Sequence, residues 1–348
     1  MSIKYQFRRS IDPIVQFEGM IMENNNIDYD VIIIGGGPAG LSAGIVASQK
    51  GLKTAVFEGG TFGGLLSTIY PKKKIFNYPG TPRIRADHLV SEWVRQAADH
   101  DVLLIRERIT KVHHDLKVET NEGNIYYSKA IIIATGMTPN ELGIPGETKF
   151  SKKDRGVYPY VIEPDIFLDK RVIVCGGGDT AIDAVIDLHN LAKKIYLTHR
   201  RDEFRASETN LNLMKKENMT EILTNMQLIE IFGKQRVEGV KLENLQTGET
   251  VELEVDKVIL AVGLKPNTEI FEDLGIEFRG KFIITDELMR TNVKGIFAAG
   301  DIVTPYQLAT VAAAQGALAA HGAYLYIRDP YWKQEHLREG VEIRRQIL

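Results

Sequence analysis

The sequence predicts an α/β protein made of two related parallel-sheet units, one inserted into the other. Three observations predict it. A strand–glycine loop–helix–strand pattern occurs twice, an apolar strand ending in A-x-G-x-x-P-N occurs twice, and a late glycine-rich stretch returns to the character of the first half.

The first pattern is "YDVIIIGGGPAGLSAGIVASQKGLKTAVFE", residues 29–58. Val31, Ile32, Ile33 and Ile34 are consecutive and β-branched, which suits a parallel strand buried on both faces. Gly35, Gly37 and Gly40 then fill G-x-G-x-x-G, with Pro38 and Ala39 opening a helix. Such glycines permit a tight turn and let a pyrophosphate approach the backbone at a helix N-terminus. The next strand ends at Glu58, 18 residues after Gly40. A carboxylate there accepts hydrogen bonds from a ribose diol. The competing reading of a lone glycine pattern is a tight turn and nothing more. Strand, loop, helix, strand and terminal acid together favour a dinucleotide.

The second pattern is "RVIVCGGGDTAIDAVIDLHNLAKKIYLTHRRDEFR", residues 171–205. Gly176, Gly178 and Ala181 fill G-x-G-x-x-A, with Asp179 and Thr180 at the predicted helix start. No acid closes the second strand. His199, Arg200 and Arg201 stand there instead, and Arg205 follows. A 2′-phosphate requires cations where a free ribose diol requires a carboxylate. The first loop is therefore expected to hold a dinucleotide with a free diol and the second to hold NADPH. The plainer alternative for the arginines is a solvated charge cluster. Cys175 ends the buried strand and reads as an inert small apolar residue.

The repeated strand ends are "IIIATGMTPN" (131–140), containing Ala134, Thr135 and Gly136, and "VILAVGLKPN" (258–267). The stretch "GIFAAGDIVTPYQLATVAAAQGALAAHG" (295–322) completes the first unit. This gives an extension over 1–27, a discontinuous first domain over 28–148 and 269–330, an inserted domain over 149–268, and a tail over 331–348.

Composition bounds the rest. The 348 residues exceed one typical domain. Hydrophobic content of 44%, charged content of 26% and a net charge of −3 are ordinary and give no reason to expect nucleic-acid binding. One cysteine excludes an intrachain disulfide and fits a reducing, cytoplasmic setting. Residues 1–27 lack the apolar core of a signal peptide. The Ala-rich run 308–327, interrupted by Gln315, glycines and His321, suits a helix buried in protein better than a membrane span. His113 and His114 are adjacent in a strand-like stretch and face apart, which disfavours a metal site.

These motifs together resemble the thioredoxin-reductase-like flavoproteins over residues 28–327. "GGGPAGLSAG", "ATGMTPN", "GGGDTAIDAV", "HRRDEFRA" and "GIFAAGDI" carry the likeness. The resemblance implies two Rossmann-like dinucleotide-binding domains of the three-layer ββα type, FAD in the first, NADPH in the inserted one, and a homodimer. It implies FAD contacts from Gly300 and Asp301 and, near the flavin ring, from Gln307 and Leu308 at the start of the last helix. That helix start carries a positive end toward the ring. Ala134, Thr135 and Gly136 belong to the same cofactor site.

Thioredoxin reductases carry Cys-x-x-Cys after an R-G-V segment. Here Arg155, Gly156 and Val157 are followed by Tyr160 and Glu163 in "DRGVYPYVIEPDIF". Neither accepts electrons as a disulfide does. The chain is closer to the thioredoxin-reductase-like ferredoxin–NADP reductases, which lack those cysteines. "GGLLSTIYPKKKIFNYPGTPRIRADHLV" (63–90) matches that branch at Gly63, Gly64, Tyr70, Pro71, Ile84, Arg85 and Ala86. The branch implies that Tyr70 stacks on the flavin. Leu65 stands where the family usually has Gln, and Asn77 in "NYPG" looks more like the thioredoxin reductases. In the tail, Tyr331, Trp332 and His336 are candidates for covering the flavin.

The resemblance thus implies NADPH giving a hydride to flavin and ferredoxin taking electrons singly, with no acid, base or metal required. Lys72, Lys73, Lys74, Arg83 and Arg85 form a candidate docking patch for acidic ferredoxin, against the plainer reading of a solvated basic loop. Without cysteines, NADPH is expected to reach the flavin without a large domain rotation. A different acceptor (quinone, oxygen or a separate disulfide protein) and a non-catalytic redox sensor remain alternatives.

Overall fold

Val31, Ile32, Ile33 and Ile34 are all buried, and they sit at the centre of a sheet covered on both faces. The computed structural model describes residues 27–328 apart from 70, 82, 153, 162 and 216–219. Tyr70, most of the extension and the whole tail, with Tyr331, Trp332 and His336, therefore lie outside the described residues.

The chain divides into two units. In the first, parallel strands run in the order Leu103–Ile105, Thr54–Phe57, Tyr29–Ile34, the second half of Ile125–Ile133, and Ile296–Ala298. The first half of Ile125–Ile133 turns away and pairs antiparallel with Lys117–Thr120, which pairs with Ile109–Val112. Strand alternation then separates two cores. Val31 and Ile33 pack toward helices Pro38–Gln49, Ala86–Asp99 and Ala309–Arg328. Ile32 and Ile34 pack toward the antiparallel strands through Ile109, Val112 and Val118. Helices, parallel sheet and antiparallel sheet are the three layers.

The last helix explains its own composition. A Cβ on Gly316 would stand 2.0 Å from the Ala39 carbonyl oxygen. Ser42 also donates from its hydroxyl to the Ala313 carbonyl at 2.7 Å. Two backbones approach that closely only if the residues between them are small. Among the described residues no helix is long and apolar enough to cross a membrane.

The second unit repeats the plan. Its parallel strands run Val157–Tyr158, Lys257–Leu260, Arg171–Cys175, Lys194–His199 and Thr220–Thr224. Val172 and Val174 face helix Asp179–Leu188. Ile173 and Cys175 face the antiparallel strands Met226–Phe232 and Gly239–Asn244 through Leu228, Ile231 and Val240.

The breaks fall at Gly136/Met137 and Lys265/Pro266. Sequence patterning puts them at 148/149 and 268/269, and local packing accounts for the difference. Strand Met137–Pro139 pairs with Leu264–Pro266. Ile144 packs on the second unit's core, and the Ile231 N–H donates to the Pro145 carbonyl at 3.0 Å. Residues 137–148 are committed to the second unit before the sequence offers any change in composition. The asparagine of each repeat closes a matching pair of bonds within its own unit. The Asn140 N–H donates to Gly263 and its side-chain amide to Val262, while the Asn267 N–H donates to Gly136 and its amide to Thr135.

Candidate functional site

The first glycine loop is shaped by contacts that only glycine permits at two places. Gly35 has φ +108°, and a Cβ there would meet the Ala134 carbonyl oxygen at 2.2 Å. A Cβ on Gly40 would stand 1.8 Å from the Gly35 carbonyl oxygen. These residues fix the turn and press helix Pro38–Gln49 onto the sheet. Gly37 is different. It caps the helix with φ −76° and ψ −172°, a conformation open to any residue, and a Cβ there would touch nothing nearer than the Gly64 Cα at 4.0 Å. No side chain caps this helix, Pro38 opens it, and no acid lies in its first turn. The start of the helix thus offers unsatisfied N–H groups and a positive dipole end beside a gap.

Glu58 closes the loop. Its Oε2 accepts from the Gly36 N–H at 2.8 Å and its Oε1 from the Gly60 N–H at 2.7 Å. The carboxylate is fixed by backbone and keeps lone pairs for a ribose. Across the loop, Gly63 and Gly64 have φ +103° and +58°, and Leu65 starts the short helix Leu65–Thr68. The Gly63 N–H donates to the Gly36 carbonyl at 2.7 Å, so the two glycine turns are laced together. On the far side, the Gly300 N–H is held by the Gln315 side chain at 2.9 Å. Asp301 follows, and burial pushes its carboxyl up to about 6. Gln307 and the half-exposed Leu308 precede helix Ala309–Arg328, and Ala312 donates back to the Leu308 carbonyl. Thr135 and Gly136 are tied to Asn267. Gln315 gives no motif signal; its role emerges only from the helix crossing.

The second loop repeats this geometry. A Cβ on Gly176 would meet the Ala261 carbonyl oxygen at 2.3 Å. Gly178 is extended, φ −105° and ψ −179°, and a Cβ there would meet nothing within 4 Å. Asp179 and Thr180 are exposed at the start of helix Asp179–Leu188, and the Ala181 N–H returns to the Gly178 carbonyl. Asp179 is used structurally: its Oδ1 accepts from the Ser207 N–H at 2.9 Å.

His199 ends the second strand buried, 8% exposed, under Gly177. Its ring stacks on Phe204 at 5.4 Å, a partner sequence reasoning missed. Burial first, then Arg205, Arg200 and Arg201, lower its pKa. Its Nε2 is buried with no hydrogen-bond partner among the described residues. Arg200, Arg201 and Arg205 are exposed, and the Arg205 N–H donates to the Gly177 carbonyl at 2.7 Å, which draws that arginine back over the loop. Room at Gly178, free helix N–H groups, an orphaned imidazole nitrogen and exposed guanidinium groups fit a dinucleotide carrying an extra phosphate.

Residues 29–316 match the family model described as pyridine nucleotide-disulphide oxidoreductase. The chain belongs to that family. The ferredoxin–NADP reductase of Thermus thermophilus is 37% identical over 85% of this chain and 92% of its own length. The thioredoxin reductase of Peptoclostridium acidaminophilum is 34% identical over 86% and 97%. The crystal structure of Lactococcus lactis thioredoxin reductase superposes with a TM-score of 0.78 at 34% identity, covering 86% of this chain and 99% of that one. Both branches suggested by the motifs are thus present among the relatives of this chain.

The segment in the place of a redox disulfide carries two regular pieces among its described residues. Val157–Tyr158 is an edge strand of the second unit's sheet, and Pro164–Phe167 is a short 3₁₀ turn. The Tyr158 hydroxyl accepts from Lys257 Nζ at 3.1 Å, and its ring packs against Phe167. Tyr160 is half-buried and Glu163 exposed. Cys175 is buried, and burial raises its thiol pKa far above the usual range, so it holds its proton.

Lys72, Lys73, Lys74, Arg83 and Arg85 are exposed. Lys74–Ile75 and Ile84–Arg85 form a small antiparallel hairpin, with Lys74 opposite Arg85 and Ile75 opposite Ile84. The structure therefore brings these cations together in a hairpin where the sequence reads as a loop. Asn77 is exposed just beyond it. His113 is not free: its Nε2 lies 2.6 Å from Glu119 Oε1, and only His114 is exposed. Among the described residues no cluster of His, Cys, Asp or Glu could hold a metal.

Proposed function

We propose that the protein is an FAD-dependent oxidoreductase that carries electrons between NADPH and ferredoxin. The observation that carries this reading is the replacement of the family's cysteine pair by Tyr160 and Glu163 in a chain whose one cysteine, Cys175, is buried in a strand. An enzyme with this fold and no disulfide has to release electrons from the flavin itself. Relatives named ferredoxin–NADP reductase agree with it.

In this reading the loop of Gly35, Gly37, Pro38, Ala39 and Gly40 holds the FAD pyrophosphate, and Glu58 holds a ribose. Gly63, Gly64, Leu65, Tyr70 and Asn77 line the flavin side. Ala134, Thr135, Gly136, Gly300, Asp301, Gln307 and Leu308 complete the site. Gly176, Gly178, Asp179, Thr180 and Ala181 receive the NADPH pyrophosphate, while His199, Arg200, Arg201 and Arg205 receive its 2′-phosphate. FAD supplies the exchange between a hydride and single electrons. The protein's part is to bind, orient and shield, with its positive helix ends directed toward phosphate and ring. Lys72, Lys73, Lys74, Arg83 and Arg85 attract the acidic partner, and the protein acts as a homodimer.

The second reading is the same flavoenzyme with another acceptor: a quinone, oxygen or a separate disulfide protein. Relatives named thioredoxin reductase at comparable identity favour it. The deciding experiment is anaerobic NADPH-driven reduction of cytochrome c with and without ferredoxin from the same organism. A strong ferredoxin requirement is expected. Flavin bleaching by NADPH without any ferredoxin effect would transfer the function to the second reading, and absence of bleaching would remove both.

A further inference from the structure

The hairpin Lys74–Ile75/Ile84–Arg85 breaks two rules of a stable surface. It places Lys74 directly opposite Arg85, and like charges facing each other across an antiparallel pair are destabilising. It also leaves Phe76 63% exposed, a large ring in water at the end of a strand. The opposite face is conventional: Ile75 and Ile84 pack on the first unit's helix-side core. Side chains alternate across a strand, so the inward Ile75 and Ile84 turn Lys74, Phe76, Arg83 and Arg85 outward together. The Arg83 guanidinium lies 5.6 Å from the centre of the Phe76 ring and keeps that side chain in place. Arg85 is held by Asp87, Nε to Oδ1 at 3.1 Å. The result is an exposed aromatic ring beside the Arg83 guanidinium, on a cationic hairpin anchored from below by Ile75 and Ile84. Local rules broken without structural return are expected at functional surfaces.

Resting on the ferredoxin reading above, we propose that Phe76 is the apolar anchor of a docking face for an acidic iron–sulfur protein, with Lys72, Lys74, Arg83 and Arg85 as its charged rim. Charge complementarity selects that occupant: the rim is positive, and a cationic or neutral partner gains nothing from it. The two parts act differently. Rim charges speed encounter and are screened by salt, whereas a central aromatic ring slows dissociation and is not screened.

The test uses the holoenzyme with ferredoxin from the same organism and, as control, a small dye. Phe76→Ala is expected to raise the KM for ferredoxin about tenfold at both low and high salt, to leave dye reduction by NADPH unchanged, and to be largely rescued in Phe76→Leu. A rim variant, Lys72→Glu, is expected to lose its effect at high salt. If wild-type turnover shows no ferredoxin dependence, the functional reading fails and the docking face with it. If wild-type turnover requires ferredoxin and Phe76→Ala matches it, the docking proposal alone falls. It also falls if Phe76→Ala changes the oligomeric state in sedimentation, since the face would then bind a second copy of this chain.

Discussion

Gly37 and Gly178 are the same position in two copies of one loop, and in neither does the polypeptide itself require glycine. Both lie in extended backbone, and a Cβ would clear its neighbours in both. By contrast, a Cβ on Gly35, Gly40 or Gly176 would run into a carbonyl oxygen. The glycines that shape the fold are thus separable from those that leave room for a ligand.

This separation gives the first prediction. Gly37→Ala should fold with unchanged thermal stability once FAD is removed from both proteins, yet retain little FAD after gel filtration. Gly178→Ala should keep its flavin and raise the KM for NADPH. Gly40→Ala, with its Cβ 1.8 Å from the Gly35 oxygen, should instead lower the melting temperature outright. Flavin absorbance and thermal melts distinguish the three.

The cations around His199 predict coenzyme choice. Arg200 and Arg205 are exposed, so each is free to meet a phosphate without leaving a buried charge behind when removed. The double variant Arg200→Ala/Arg205→Ala should raise the KM for NADPH by roughly 100-fold, as expected for losing charge-assisted bonds to one phosphate. The kinetics with NADH should hardly change. Equal losses with both coenzymes would mean that the arginines act on the loop and not on the 2′-phosphate.

Much of this site was legible because the residues that make it also make the fold. The run Val31, Ile32, Ile33 and Ile34 announces a doubly covered strand, and the glycines beside it can have few other uses. The end of each second strand, Glu58 in one copy and His199 in the other, is where the two copies differ in charge. What stayed hidden depends on contacts between segments distant in sequence. Residues 137–148 look like the first unit until Ile231 claims Pro145. Gln315 looks like an interruption in an apolar helix until it reaches Gly300. Phe204 has no periodic signal at all and is explained only by the ring of His199. The exposure of Phe76 stayed hidden because nothing in the sequence says which face of the two-residue strand before it is outward.

Asp301 predicts a pH dependence in the flavin-free protein. Burial raises its carboxyl from 3.8 to about 6 in the folded state. The folded protein therefore holds this proton more tightly than the unfolded chain. The stability associated with it is fully present below pH 3.8 and is lost as pH rises through about 6. That difference corresponds to roughly 3 kcal/mol. Asp301→Asn should be more stable than wild type at pH 7 by up to about that amount, with the advantage vanishing toward pH 4. Thermal melts of the apo-proteins across this range test it, and a constant offset would sink the argument. The same substitution should weaken FAD retention in the holoenzyme.

Glu147 predicts where the second unit is brittle. It is 5% exposed, and its carboxylate accepts from the N–H groups of Leu142, Gly143 and Ile144 at 3.0, 2.7 and 3.3 Å. It thus holds the turn that leads the chain onto the Ile231 strand. Glu147→Ala removes the shared acceptor of three part-buried backbone N–H groups and should cost about 1–3 kcal/mol, while Glu147→Gln, which keeps one acceptor oxygen, should cost less. Denaturant unfolding followed by far-UV circular dichroism would measure both, with FAD content unchanged because the first unit is untouched.

The basic hairpin predicts how encounter depends on salt. If Lys72, Lys73 and Lys74 steer an acidic partner, their joint reversal to Glu should lower kcat/KM for ferredoxin by at least about tenfold at low ionic strength. The loss should shrink as salt approaches the concentration where the Debye length is about 3 Å. All three lysines are exposed. Like charges already face each other at Lys74 and Arg85, and a Glu at 74 would relieve that repulsion. The triple variant should therefore be no less stable than wild type in a thermal melt. A loss of ferredoxin turnover could then not be charged to unfolding. Reduction of a small neutral dye, which needs no docking face, should proceed at the wild-type rate. Equal losses with ferredoxin and dye would place these lysines in the handling of flavin or NADPH and remove them from any partner surface.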